Sequence, residues 1–296
     1  MPDKEIDVTA HSHTDDLVEM QMPSEPIPVH PDDDCRLIGR SLRLGYDAGD
    51  IVDDLDIDIP TGRITMLVGA NACGKSTTLR ALARLLKPRG GAVTIDGKDV
   101  HAMSTKSLAT KVGILPQTPT APDGITVADL VGRGRYPHQK WFRQWSAEDQ
   151  EVVAWALEAT GIEAIAERPV DGLSGGQRQR VWIAMALAQQ TEVLLLDEPT
   201  TYLDVHHQVD VLDLIVQLNQ EQGRTIAVVL HDLNLACRYG HHLLAMKNGE
   251  IVAQGAPSAV VTEELVDEVF GLRSKVIQDP VSHTPLVVPI GRHAGF

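Results

Sequence analysis

The chain has 296 residues, 43% of them hydrophobic, and a formal net charge of −15. That length can bury a substantial core in one large domain or two modest ones, and no run of 18 or more apolar residues is available to span a bilayer. The start MPDKEIDVTAHSHTDD lacks a basic region leading into an apolar stretch, so no secretory signal is expected, and three dispersed cysteines, Cys35, Cys73 and Cys237, fit a reduced cytosolic protein rather than a disulfide framework or zinc cage.

Residues 1–34 hold ten acids against the single Lys4, with five prolines, for a net charge of −9. This composition reads as a disordered acidic tail, with a regulatory arm as the alternative. The other residues carry only −6, and no strongly basic surface is left for nucleic acid. From Cys35 onward, strand-like runs alternate with helical ones, the pattern of an α/β domain. Ile51–Pro60 and Arg63–Val68 flank a Pro60-Thr61-Gly62 turn and read as paired strands. Val93–Ile95 ends at an Asp96-Gly97 turn. Between about 125 and 190 the strand signal disappears, and Ala147–Thr160 and Arg178–Ala188 have helical spacing; this predicts a helical subdomain inserted in an α/β core. Val193–Leu196 and Thr225–Leu230 are unbroken apolar runs, as buried parallel strands are. Leu243–Met246 and Ile251–Val252 straddle Asn248-Gly249, a strong hairpin signal.

Two motifs carry chemistry. Gly69-Ala70-Asn71-Ala72-Cys73-Gly74-Lys75-Ser76 follows the apolar strand Ile64–Val68 and precedes the helical run Thr77–Leu86, the setting of a phosphate-binding P-loop. Backbone N–H groups at a helix start face the phosphates of ATP, Lys75 adds a point charge, and the Ser76 hydroxyl is placed to ligate Mg²⁺. Ala72 occupies a position where such loops need positive φ, which costs a residue with a Cβ ~1–2 kcal/mol. Cys73, inside the loop beside Lys75, is expected to react with a maleimide and to be protected by MgATP. In the second motif, Val193–Leu196 delivers Asp197 and Glu198 to the sheet edge. Asp197 is assigned to Mg²⁺ and Glu198 to polarising the attacking water; capping of the following turn is the structural alternative.

Between these motifs stands Leu173-Ser174-Gly175-Gly176-Gln177, the signature sequence of ABC ATPases. In this order the three motifs resemble that family closely, over residues ~37–290. The resemblance implies a P-loop NTPase (RecA-like) core with an antiparallel β subdomain and an inserted α-helical subdomain at about 125–190. The expected division is a tail at 1–34, an ATPase domain at 35–261 and a C-terminal extension at 262–296 packed on the core. The resemblance also makes Gln117 a Mg²⁺ and water ligand that senses a permease, and His231 a contact of the γ-phosphate. It makes Asp204, in Thr201-Tyr202-Leu203-Asp204, a communicator across a dimer, and it places Tyr46 on the adenine. The expected ATP-binding set is therefore Tyr46, Gly69 to Gly74, Lys75, Ser76 and Thr77. Ser174, Gly175, Gly176 and Gln177 are supplied in trans by a second copy. The catalytic set is Glu198, His231, Lys75 and Gln117, and the Mg²⁺ set is Ser76, Gln117 and Asp197.

Gly132-Arg133-Gly134-Arg135-Tyr136-Pro137-His138-Gln139 is similar to the importers of iron-siderophores, haem and cobalamin. Leu230–Tyr239 and the segment from Asp279 to Pro289 are similar to the ferric-enterobactin type. The resemblance implies a peripheral subunit on the cytoplasmic face of the membrane, powering ferric-siderophore uptake through a permease served by a substrate-binding protein. Haem and cobalamin are the alternative cargoes, and a non-transport ABC ATP-binding protein is the alternative class; such a protein would lack Glu198 or His231. Tyr136, Trp141, Phe142, Trp145 and Trp155 are five of the chain's eleven aromatics, interleaved with Arg133, Arg135, Lys140 and Arg143. That is interface composition, so Arg133–Trp145 is expected to dock the permease, with core packing as the alternative. His206-His207 and His241-His242 are adjacent pairs whose side chains point different ways on a helix, so no metal site is expected there.

Overall fold

The computed structural model describes residues 35–47, 49–139 and 145–291. The acidic segment 1–34 lies outside the described residues, as do Lys140, Trp141, Phe142 and Arg143. In chain order the first half comprises β1 (Cys35–Tyr46), β2 (Gly49–Pro60), β3 (Ile64–Gly69), α1 (Lys75–Leu82), β4 (Gly90–Ile95), β5 (Lys98–Asp99), α2 (Thr105–Ala109), β6 (Val112–Leu115), α3 (Val127–Gly132) and α4 (Ala147–Ala159). The second half comprises α5 (Gly175–Ala188), β7 (Val193–Asp197), α6 (Val205–Gln222), β8 (Thr225–Val229), α7 (Leu233–Tyr239), β9 (His242–Lys247), β10 (Glu250–Gly255), α8 (Pro257–Val260), α9 (Glu263–Phe270), β11 (Ser274–Gln278) and β12 (Pro285–Pro289).

A six-stranded sheet runs in the order β10-β9-β3-β8-β7-β6, parallel except for β10. Every residue of β3, β7 and β8 is buried, because the sheet is covered on both faces. The period-2 alternation of a strand divides its side chains between two cores. Ile64, Met66, Val68, Leu196 and Val228 face the helices, packing with Val131, Ile183 and Leu212. Leu67, Leu195, Ala227 and Val229 face the other way, against Leu42 of β1, Ile57 of β2 and Leu79 of α1. The second face is closed by an antiparallel sheet, β2-β1-β4-β5. Helices α3 to α5 form the helical layer, where the described residues contain only the isolated bridge Thr126–Pro169. This is the α/β fold with an antiparallel sheet and inserted helices that the sequence predicts.

One local expectation is overturned. The segments 51–60 and 63–68 do not pair: β2 joins β1 across Cys35–Pro60 to Tyr46–Gly49, whereas β3 lies between β8 and β9. The Pro60-Thr61-Gly62 turn, with Gly62 at φ +67, moves the chain from one sheet to the other. The β9–β10 hairpin is present, and Asn248 (φ +51) and Gly249 (φ +86) give it the two left-handed residues of a type I′ turn. Its tip also supports the phosphate loop: the Gly249 N–H donates to the Cys73 carbonyl at 3.0 Å. A Cβ on Gly249 would come within 2.3 Å of the Ile51 carbonyl oxygen. No helix among the described residues is long and apolar enough to cross a membrane.

Candidate functional site: a phosphate loop at the carboxyl edge of the sheet

β3 ends at Gly69, whose φ of +150 and crowding against the Met246 carbonyl admit no side chain. The chain then loops through Ala72 (φ +62) and Gly74 (φ +106) into α1. Ala72 thus carries the left-handed conformation expected for this position. Gly74 is the N-cap residue of α1, and no side chain caps this helix, so its positive end faces the loop. Lys75 is 5% exposed and folds back over the loop, donating to the Gly69 carbonyl at 2.8 Å and the Ala70 carbonyl at 2.9 Å.

The neighbouring strands bring the acids to the same edge, where ligands bind in open α/β sheets. The Ser76 hydroxyl donates to Asp197 Oδ1 at 2.7 Å. Asp197 is fully buried and its Oδ2 has no hydrogen-bond partner. Burial pushes its pKa above the ordinary carboxylate value, assisted by the nearby Glu198 charge and opposed by the Ser76 hydrogen bond. Glu198 sits at φ +55, a strained conformation for a residue with a Cβ. Its Oε1 lies 2.7 Å from His231 Nε2, and its Oε2 accepts from the Thr201 hydroxyl at 3.2 Å. The Gln179 side chain donates to the Pro199 carbonyl at 2.9 Å, tying α5 to the turn after Glu198.

These groups enclose a cavity of about 680 Å³ lined by Asn71 to Thr77, Gln117, Glu198 and His231. Residues scattered from 71 to 231 in sequence therefore meet at one site. Ile51 also lines it; an apolar residue near the tip of the β1–β2 hairpin gave no sequence signal for this. Tyr46 does not line the cavity. It ends β1 at 41% exposure, with its hydroxyl accepting from Arg80 of α1 at 3.1 Å. Ser174 and Gly175 are exposed at the start of α5, outside the cavity of their own chain. Ser174 Oγ accepts from the Gln177 N–H while the Gln177 side chain accepts from the Ser174 N–H, a reciprocal capping box. Asp204 caps α6, accepting from the His207 N–H at 3.0 Å, with His207 Nδ1 2.7 Å from the same oxygen.

A model of the ABC transporter family matches residues 52–201. The chain belongs to the ABC transporter family. It is 56% identical over 256 residues to the achromobactin transport ATP-binding protein of Dickeya dadantii, covering 86% of this chain and 95% of that one. It is 54% identical to the ferric enterobactin transport ATP-binding protein of Escherichia coli, over 88% and 96% of the two chains. A dimeric bacterial ABC transporter cassette superposes with a TM-score of 0.68 at 28% identity, over 74% of this chain and 98% of that one. The chain is an ATP-binding, ATP-hydrolysing subunit of an ABC transporter.

Two expectations about the ABC subunit change once its side chains are placed. Arg135 is 2% exposed: its guanidinium donates to Asp149 Oδ1 at 2.8 Å, the Ala188 carbonyl at 2.9 Å and Gln190 Oε1 at 2.8 Å. It therefore clamps the start of α4 to the end of α5 and is no docking residue. Cys73 is 5% exposed and packs in the core with Leu67 and Leu79. A maleimide should therefore label Cys73 only after the loop opens, so peptide mapping of native and denatured protein should show labelling in the denatured sample alone. Rapid labelling of the native chain would contradict this placement.

Asp197 gives a second prediction. A buried carboxyl with a raised pKa contributes stability below its unfolded pKa and loses it as pH rises through the folded one. At neutral pH its charge is thus a cost. Asp197→Asn should raise the melting temperature of the nucleotide-free chain by a few degrees while abolishing the stabilisation given by MgATP. A lower melting temperature without nucleotide would count against the placement.

Proposed function

We propose that this chain powers uptake of a ferric siderophore, binding ATP between two copies of itself beneath a membrane permease. The observation that carries this reading is the meeting of Lys75, Ser76, Gln117, Asp197, Glu198 and His231 at one cavity edge, in a chain more than 50% identical to two siderophore-transport ATP-binding proteins.

Lys75 leaves the loop carbonyls to meet the β- and γ-phosphates, and the loop N–H groups hold their oxygens. The Ser76 hydroxyl, Gln117 and Asp197 form an all-oxygen donor set suited to Mg²⁺, and the unpartnered Asp197 Oδ2 is the buried acceptor that such an ion would satisfy. Bound there, Mg²⁺ would neutralise charge on the phosphates. Glu198 takes the proton of the attacking water, with Thr201 holding its second oxygen, and His231 turns from Glu198 to the γ-phosphate. Tyr46, exposed at the end of β1 outside the cavity, stacks on the adenine, while Ile51 lines the phosphate cavity. Ser174 and the N–H groups of Gly175 and Gly176 present an exposed helix start to the ATP of the second copy, and Gln177 holds that turn through its cap. Asp204 fixes the start of α6 beside it.

The same reading divides the chain into the tail 1–34, the ATPase domain 35–261 with helices inserted at about 125–190, and the extension 262–296. It places the chain peripherally on the cytoplasmic face of the membrane, working with a substrate-binding protein through the permease. The docking groove holds about 1090 Å³ and is lined by Gly132, Arg133, Tyr136, Gln139 and Trp145. Tyr136 is 59% exposed and Trp145 is 50% exposed. Exposed aromatics dominate interfaces, each costing up to ~2–4 kcal/mol on truncation. Tyr136→Ala and Trp145→Ala should keep melting temperature and basal hydrolysis, and lose co-purification with a ferric-siderophore permease. Full co-purification by both variants would remove the groove from the account.

A further inference from the structure

At the amino edge of the parallel sheet, opposite the phosphate loop, a cavity of about 460 Å³ is lined by Arg36, Thr61, Glu192, Gly223 and Arg224, with neutral residues completing it. Arg224, the residue before β8, is 7% exposed, and its Nη1 has no hydrogen-bond partner. No carboxylate among the described residues pairs with it, and burial pushes its pKa below the usual guanidinium value. A charge left buried without a partner is strongly unfavourable. Arg36 is already held by Asp96 and Glu192, so the only acid that lines the cavity among the described residues is engaged and one positive charge is left over.

We propose that this cavity is the intramolecular docking site for the Asp32-Asp33-Asp34 run, whose carboxylates neutralise Arg224 and anchor the acidic N-terminal segment. Connectivity supplies the occupant. Cys35 opens β1 opposite Pro60, and the residues that follow each of them, Arg36 and Thr61, both line the cavity. Three extended residues span at most ~10 Å, so a run directly preceding Cys35 needs no long loop to reach the cavity. Their charge is complementary, in a segment of net −9. Docking there holds the segment at the sheet edge opposite the nucleotide, which leaves ATP access unaltered.

The test uses the full chain at low ionic strength. Asp32→Asn, Asp33→Asn and Asp34→Asn are combined in one variant, Arg224→Gln is made in a second, and a third carries all four changes. Loss of the buried pair should lower the melting temperature of the triple variant by about 5 °C. The fourfold variant should melt no lower than the less stable of the other two. Neutralising Asp3, Asp7 and Asp15 instead should leave the melting temperature unchanged. An unchanged triple variant, additive losses, or an equal loss from the distant aspartates would each overturn the proposal. Because Arg224→Gln is itself a core change, the Arg224 Nε–Hε NMR signal supplies an independent readout. It should exchange slowly in the native chain and rapidly in the triple variant. An identical signal in both, shifted by added phosphate or acetate, would assign the cavity to a free anion and overturn the role of the aspartates.

Discussion

Glu198→Gln is expected to lose hydrolysis by ~10²-fold or more while ATP affinity stays close to that of the wild type. The carboxylate lines the cavity and is placed to accept a proton from water. It is 9% exposed, held from one side by His231 at 2.7 Å and from the other by Thr201 at 3.2 Å. The amide keeps the shape and the Thr201 contact but cannot take the proton. ATP would then bind and remain uncleaved, and the variant should accumulate as an ATP-bound dimer on size exclusion. The left-handed backbone at Glu198 is retained by either side chain, so the melting temperature should barely move. Near-normal turnover would remove Glu198 from its assigned role.

Arg135→Ala is expected to be the most destabilising single change considered. Removing one partner of a buried ion pair costs ~3–5 kcal/mol, and here the same side chain also satisfies the Ala188 carbonyl at the end of α5. Burial alone would raise the pKa of Asp149, but the hydrogen bonds from Arg135 and from Ser146 outweigh it and hold the carboxyl below its usual range. A depressed carboxylate contributes stability above its unfolded pKa and loses it as pH falls through the folded one. The gap between wild type and variant should therefore be full near pH 7 and narrow below about pH 4, the ordinary carboxylate range. Thermal melts across that range check both size and sign. A variant that melts like the wild type but fails to bind the permease would restore Arg135 to the interface.

Local signals were the ones the sequence carried well. The strand–loop–helix order around Lys75, the apolar runs of β7 and β8 and the Asn248-Gly249 turn each depend on a few neighbouring residues, and each appears where expected. Partner choice was not local. Pro60-Thr61-Gly62 carries the same turn chemistry whether the chain reverses into a hairpin or crosses to a second sheet, and only packing against β8 and β9 decides. Arg135 shows the same limit: amid arginines and aromatics it looks like an interface residue, yet Ala188 and Gln190, more than fifty positions away, bury it. For Cys73 the motif fixed the loop but not the direction of the thiol, which is buried in the core with Leu67 and Leu79. The C-terminal hairpin β11–β12 turns at Asp279-Pro280, where Asp279 accepts from the Val281 and Ser282 N–H groups, but that local signal says nothing of what the hairpin packs on. It is held to α7 by Asn234, whose amide exchanges two hydrogen bonds with Val287, at 2.7 and 3.2 Å.

ATP hydrolysed at the proposed Lys75–Glu198 site should drive ferric-siderophore uptake, and transport measures this directly. The chain is reconstituted with a ferric-siderophore permease and its substrate-binding protein in vesicles, and uptake of a labelled ferric siderophore is followed beside labelled haem and cobalamin. The predicted result is MgATP-dependent accumulation of the ferric siderophore alone, abolished by Glu198→Gln. Accumulation of haem or cobalamin in its place, or siderophore uptake that survives Glu198→Gln, would contradict it.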